Sequence, residues 1–119
     1  MEDRKLLAKL TQLWGVAGYE KAVREFILQE IKDLGDEVIT DALGNLIVRK
    51  AGRGEAGGKK IMFAAHMDEI GFMVKKIEED GRLRVCNMGW NWTASAYNSR
   101  VRFRNGTCGV IGCVGALED

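Results

Sequence analysis

The hydrophobic period of the chain changes once, from a helical period in the first third to a strand period in the remainder. Apolar residues recur at the spacing of one helix face over 6–13 and again over 20–34, and Gly35 then follows as the expected C-terminal cap. Residues 37–40 and 45–50 are short strand-like segments joined by a turn. Because helices and sheets must each bury an apolar face, this order predicts an α/β fold with a helical layer against a sheet.

The strand-like part of the chain contains one segment of a different kind. Residues 61–65 form an uninterrupted apolar run, which is typical of a strand covered on both faces and central in its sheet. The segments that follow are shorter and are separated by turn signals such as Asp80-Gly81 and Asn105-Gly106. We predict these later strands over 70–77, 82–87, 100–104 and 108–114. The change in composition places a domain boundary near residue 70.

Charge and cysteine content limit the classes of partner. The 119 residues carry 18 Lys plus Arg against 17 Asp plus Glu, a balance that predicts no nucleic-acid partner and no anionic membrane surface. No apolar stretch approaches the ~20 residues that cross a bilayer, and the N-terminus contains no signal-peptide core, so we expect a soluble, cytoplasmic protein. Cys86, Cys108 and Cys113 match no zinc-ribbon spacing and are expected to be reduced and mostly buried.

The only histidine, His66, follows directly after the apolar run 61–65. Residues two apart on an extended segment share a face, so Asp68 can contact the imidazole and fix its tautomer, as carboxylates do around metal-bound histidines. The simpler interpretation is a histidine that only forms a hydrogen bond where its strand ends. A catalytic zinc usually needs three protein ligands, and one histidine with scattered acids does not assemble them. The spacing alone leaves both interpretations open.

Two other patterns have weaker functional interpretations. Residues 52–57 match G-x-G-x-x-G, but no helix start follows to bind a pyrophosphate, so a surface loop is expected. Trp90, Trp92 and Tyr97 lie close together in sequence near Gly89. Such aromatic residues could stack on a sugar or a base, or form part of a core or an assembly surface.

Several blocks in order along the chain resemble the N-terminal part of the glutamyl and deblocking aminopeptidases. The most specific block is 64–74, which reads AAHMDEIGFMV. The other blocks cover 10–20, 41–47, 100–103 and 109–112. Members of this family are cobalt- or zinc-dependent exopeptidases that form large tetrahedral particles, and some have been labelled cellulase M or endoglucanase. The family's fold is an αβα catalytic domain interrupted by a β-rich dimerisation domain.

The resemblance implies a role for each part of the chain. Residues 1–69 would begin the αβα catalytic domain, and residues 70–119 would begin the inserted dimerisation domain. His66 looks like the ligand to one of two divalent metal ions, and Asp68 like the catalytic-site carboxylate that orients its imidazole. The family's other ligands and its glutamate general base have no counterpart here. A peptide substrate and a homo-oligomer formed through the β-rich half are the expected partners.

We therefore expect metal-dependent removal of N-terminal residues from peptides in a longer parent protein, with these 119 residues inactive alone. One alternative is a non-catalytic module that assembles through its β-rich half and the cluster of Trp90, Trp92 and Tyr97. Another is glycan hydrolysis, as in the older family labels. That reaction needs two carboxyl groups facing each other across a bond, and the adjacent Asp68 and Glu69 are a poor pair for it.

Overall fold

The computed structural model describes residues 2–54, 58–90 and 93–112, and it contains both helices and strands, as predicted for an α/β chain. The elements in chain order are α1 (Glu2–Leu10), α2 (Lys21–Ile31), β1 (Glu37–Thr40), β2 (Leu46–Arg49), β3 (Gly71–Ile77), β4 (Leu83–Met88), α3 (Thr93–Ala96), β5 (Arg100–Arg102) and β6 (Cys108–Val110). The chain divides into two compact units, Met1–Glu69 and Ile70–Asp119. Their assignment to a catalytic and a dimerisation domain stays a prediction.

The two long helices of the first unit begin and end near the predicted positions. Helix α1 begins at Glu2, where acidic side chains in the first turn suit the positive end of the helix dipole. It ends at Leu10, three residues before the predicted end. Helix α2 buries Val23, which at 6% exposure is the one buried apolar side chain among the described residues. Within those residues, no helix has the length and apolar character needed to span a membrane.

The predicted role of Gly35 as a helix cap is wrong. Helix α2 ends at Ile31, and Gly35 is not among the glycines with positive φ. A Cβ atom built on Gly35 would lie 2.5 Å from Cγ1 of Val48. Glycine is therefore needed here because β2 passes close to the backbone, and not because the helix ends in a left-handed residue.

The first predicted hairpin is confirmed. Strands β1 and β2 pair antiparallel, with Ile39 opposite Ile47 and Glu37 opposite Arg49. The Arg49 guanidinium donates a hydrogen bond from Nε to Glu37 Oε2 at 2.7 Å. The turn is held by Asp41, which accepts hydrogen bonds from backbone and side-chain groups two and four residues further on.

The prediction that 61–65 is a central strand is wrong. Each of the three sheets in the described residues has two strands, and 61–65 belongs to none of them. Its apolar side chains are exposed, with Ile61 at 77%, Met62 at 89% and Phe63 at 94%. An apolar run shows that a segment favours burial, but a strand also needs neighbouring strands, and no described strand pairs with this one.

The second unit contains two antiparallel hairpins. Strands β3 and β4 pair with a register shift between Val74 and Lys76. Strands β5 and β6 pair with Val101 opposite Gly109. Both predicted turns are confirmed, because Gly81 and Gly106 have φ values of 83° and 88°, which glycine adopts without strain. Strands β5 and β6 are shorter than predicted, and 113–114 lie outside the described residues.

The cysteines are predicted to be mostly buried. This prediction is wrong for Cys108 and only partly correct for Cys86. Both are free thiols; Cys108 is exposed and Cys86 is half-buried. Strand β6 pairs with β5 in a two-stranded sheet, and Cys108 and Val110 on it are both exposed. Cys113 lies outside the described residues.

Candidate functional site

The structure brings His66 and Asp68 into contact. Nδ1 of His66 lies 2.8 Å from Oδ1 of Asp68, a hydrogen-bond distance that agrees with their spacing of two residues. The side chain of His66 is 92% exposed and that of Asp68 is 33% exposed. The contact predicted from the sequence is thus present, with the imidazole open to solvent. The roles of the two residues stay predictions.

The charge state of Asp68 determines which ring nitrogen carries the proton. The hydrogen bond from His66 is the largest cause that lowers the pKa of Asp68 below its ordinary value, and partial burial opposes it. Asp68 is therefore ionised at neutral pH, and an ionised carboxylate only accepts hydrogen bonds. Nδ1 of His66 is then the protonated donor. In a neutral imidazole of that tautomer, Nε2 has the lone pair that a metal ion requires.

The described residues contain no complete set of metal ligands around this pair. No group of three or more His, Cys, Asp or Glu side chains that could bind a metal occurs within 2–54, 58–90 and 93–112. An oriented, exposed imidazole with a carboxylate behind it fits one position of a metal site. The described residues do not form a complete site.

The segment that carries His66 is attached to the loop between α1 and α2. The Glu69 N–H donates to the Gly15 carbonyl at 2.8 Å, and the Gly15 N–H donates to Glu69 Oε1 at 3.0 Å. Val16 and Glu69 form an isolated parallel bridge at the same place. Sequence analysis missed this contact, because its partners are 54 residues apart and Gly15 has no pattern beyond that of a helix breaker.

Gly15 is buried where the loop packs on α2. A Cβ atom at this position would lie 2.6 Å from Cγ2 of Val23 and 3.6 Å from the carbonyl oxygen of Met67. The first distance is below any normal contact between carbon atoms, so a larger residue would force the loop away from the helix. Gly15 therefore allows α2, the loop and the segment of His66 to approach each other closely.

The aromatic cluster is only partly described. Trp90 is 83% exposed and Tyr97 is 51% exposed, whereas Trp92 lies outside the described residues. Trp90 is therefore not part of an apolar core in the second unit. This exposure agrees with an assembly surface and equally with stacking on a sugar or a base, and both interpretations stay predictions.

Comparison with known proteins finds a matching family and relatives that are named aminopeptidases. The chain matches the family described as M42 glutamyl aminopeptidase over residues 44–119. A protein of Acetivibrio thermocellus, provisionally named an aminopeptidase, is 46% identical over 114 residues, which are 96% of this chain and 33% of that protein. The lysyl aminopeptidase of Pyrococcus furiosus is 38% identical over 118 residues, which are 98% of this chain and 33% of that protein.

Solved structures with a similar fold agree with these relatives. An endoglucanase from Thermotoga maritima matches with a TM-score of 0.77 and 42% identity, over 87% of this chain and 32% of its own. The TET1 peptidase of Pyrococcus horikoshii, which can assemble into a tetrahedron or a large octahedral shell, matches with a TM-score of 0.74 and 40% identity, over 95% of this chain and 34% of its own. The chain spans about a third of the length of the curated relatives it matches. Because the family match covers more than half of its residues, the chain belongs to the M42 glutamyl aminopeptidase family.

Proposed function

We propose that the protein containing this chain removes N-terminal residues from peptides in a metal-dependent reaction. The observation that carries the proposal is the pair of His66 and Asp68, in contact at 2.8 Å and exposed to solvent, in a chain of the M42 family. The lysyl aminopeptidase of Pyrococcus furiosus supports the reaction class, since it aligns with 98% of this chain.

In this proposal His66 holds one of two divalent metal ions, zinc or cobalt, through Nε2. Asp68 accepts the hydrogen bond from Nδ1 and so fixes the direction in which Nε2 points. When bound, the metal ions supply Lewis-acid polarisation of the peptide carbonyl and activation of water. The chain's own contribution is therefore to bind and orient, and the roles of both residues belong to the proposal.

The same proposal implies that the 119 residues alone are inactive. His66 supplies one ligand, and the described residues contain no group of three ligands that could complete a site. A general base is also required to take a proton from water, and Asp68 is already engaged by His66. The missing groups would be supplied by the remainder of a longer protein.

We further propose that residues 70–119 begin a dimerisation domain through which the protein forms a homo-oligomer. Trp90 supports this, because an exposed tryptophan is typical of an interface and is uncommon on a surface that stays free. The assembly of the Pyrococcus horikoshii TET1 peptidase into closed shells supports it as well.

Glycan hydrolysis is not supported by the geometry, although one similar structure is an endoglucanase. That reaction needs two carboxyl groups placed on either side of a glycosidic bond. Asp68 accepts a hydrogen bond from His66, whereas Glu69 accepts one from the backbone of Gly15. The two carboxylates are thus engaged by different partners and do not form a facing pair.

The proposed activity is tested on the native protein that contains this chain, with short peptides and added zinc or cobalt. We expect release of the N-terminal residue, and we expect His66→Ala to abolish it. Gln29→Ala, an exposed position on α2, is the matched control and should leave the rate unchanged. A wild-type protein that releases no residue with either metal, or a His66→Ala variant with full activity, would contradict the proposal.

A further inference from the structure

We infer that Glu69 is a positioning residue for His66, acting through Gly15: the paired hydrogen bonds between Glu69 and Gly15 hold the segment on which the imidazole is presented. The inference rests on the proposed function only in taking His66 as a metal ligand. It assigns a task to a carboxylate that neither the proposed metal ions nor the substrate uses.

The two hydrogen bonds between Glu69 and Gly15 run in opposite directions. The backbone of Glu69 donates to the Gly15 carbonyl at 2.8 Å, and its side chain accepts from the Gly15 amide at 3.0 Å. One residue therefore satisfies both polar groups of a buried glycine, which would otherwise be costly to leave without partners. Because the acceptor is a carboxylate, the side-chain bond is of the stronger, charge-assisted kind.

The direction of the side chains explains why this contact acts on His66. Side chains alternate along an extended segment, so His66 and Asp68 lie on one side and Met67 and Glu69 on the other. Met67 is half-buried, and its carbonyl lies against Gly15. The Glu69 carboxylate on the second side bonds to the Gly15 amide, whereas the imidazole on the first side is 92% exposed.

Placing the ring also requires a connection between the segment and the rest of its unit. Residues 61–65 pair with no described strand, and their apolar side chains are exposed. The hydrogen bond between Asp68 and its neighbour His66 orients the ring relative to the segment and not relative to the rest of the unit. The contact of Glu69 with Gly15 supplies that second connection, to a loop packed on Val23.

A first measurement determines which ring nitrogen of His66 carries the proton, and so whether the ring keeps its orientation on the segment. Metal-free native protein is labelled with ¹⁵N-histidine, and the His66 signals are identified by their loss in His66→Gln. In the wild type we expect protonation at Nδ1, as the hydrogen bond to Asp68 requires. Glu69→Ala should keep the Nδ1 tautomer, because the hydrogen bond between His66 and Asp68 lies within the segment. A mixture of tautomers in Glu69→Ala would mean that Glu69 acts on the ring itself, which would overturn the inference. Glu30→Ala, an exposed glutamate of α2, is the matched control and should leave the signals unchanged.

Two further variants separate positioning from stability. Glu69→Gln keeps an acceptor at the same reach and should preserve the wild-type affinity for Zn²⁺. Glu69→Asp keeps the charge but shortens the side chain by one methylene, so it should behave like Glu69→Ala. If Glu69→Ala does not fold, the comparison of the Gln and Asp variants decides. Equal affinities for Zn²⁺ in both variants would overturn the inference.

Metal affinity provides a second readout. The loss of a supporting group around a metal ligand typically lowers affinity by about 10- to 100-fold, and Glu69→Ala should fall near the lower end, at about tenfold. An affinity for Zn²⁺ equal to that of Glu30→Ala would overturn the inference even in an active aminopeptidase. Conversely, a wild-type protein that releases no residue from peptides would contradict the proposed function, whereas the Zn²⁺ affinities of the Gln and Asp variants would still decide the role of Glu69.

Discussion

At the scale of single residues, the candidate site depends on two adjacent carboxylates that accept hydrogen bonds from different partners. Asp68 engages Nδ1 of His66, and Glu69 engages the amide of Gly15. Adjacent carboxylates thus have separate tasks, because neighbouring side chains on an extended segment point to opposite sides. Substitutions at the two positions should therefore have different consequences.

Asp68→Asn tests the orientation of the imidazole. The amide has nearly the same shape but is neutral, so its hydrogen bond with Nδ1 is weaker and the ring is less firmly held. We expect the affinity of the native protein for Zn²⁺ to fall by about 10- to 100-fold, measured by competition with a chromophoric chelator. Asp33→Asn, at an exposed position after α2, is the control. Equal affinities in the two variants would contradict the role of Asp68.

Gly15→Ala tests the close packing beneath the site. Its Cβ atom would lie 2.6 Å from Val23 Cγ2, so either the loop or the helix must move. Overpacking of this kind costs about 1–3 kcal/mol in the free energy of unfolding, measured by urea denaturation of the native protein. Gly52→Ala adds the same methyl group where no atom lies within 4 Å, and it should be close to neutral. A Gly15→Ala variant as stable as Gly52→Ala would show that the loop does not pack as described.

At the scale of elements, the turn between β1 and β2 depends on the charge of one aspartate. Hydrogen bonds from the Asn45 side chain, and then from the Asn45 backbone, lower the pKa of Asp41 below its ordinary value. A group with a lower pKa in the folded state stabilises it fully above the unfolded pKa of about 3.9. That contribution is lost as the pH falls through the folded pKa.

Asp41→Ala should therefore destabilise the native protein at pH 6 and have a smaller effect as the pH falls below about 4. The measurement is the difference in the free energy of unfolding between wild type and variant at each pH. Asn45→Ala, which removes the largest cause of the shift, should show the same trend. A difference that stays constant with pH would mean that the Asp41 carboxylate does not hold the turn.

Local elements could be predicted from the sequence, whereas elements with distant partners could not. The hairpins β1–β2 and β3–β4 can be predicted because each pairs two consecutive strands whose turn has clear residue signals. The segment 61–65 was assigned wrongly because its apolar character says nothing about which strands lie beside it. Likewise, the contact of Asp68 with His66 follows from a spacing of two, but the contact of Glu69 with Gly15 spans 54 residues and leaves no local pattern.

At the scale of the whole molecule, the exposed apolar surface and the incomplete ligand set have the same implication. Phe63 is 94% exposed and Trp90 is 83% exposed, although side chains of this size usually lie in cores or interfaces. The described residues also supply only one oriented imidazole toward a metal site. Both features would be explained if further residues cover the apolar surface and contribute the remaining ligands.

The length of the native protein is therefore the most informative single measurement. The relatives from Acetivibrio thermocellus and Pyrococcus furiosus each align with this chain over 33% of their length. We expect an intact mass from the source cell of about three times 13.2 kDa, with metal-dependent peptidase activity in that product and none in the isolated 119 residues. A native mass of 13.2 kDa would leave His66 without further ligands. In that case, assembly through the exposed aromatic residues of the second unit would replace catalysis as the proposed role.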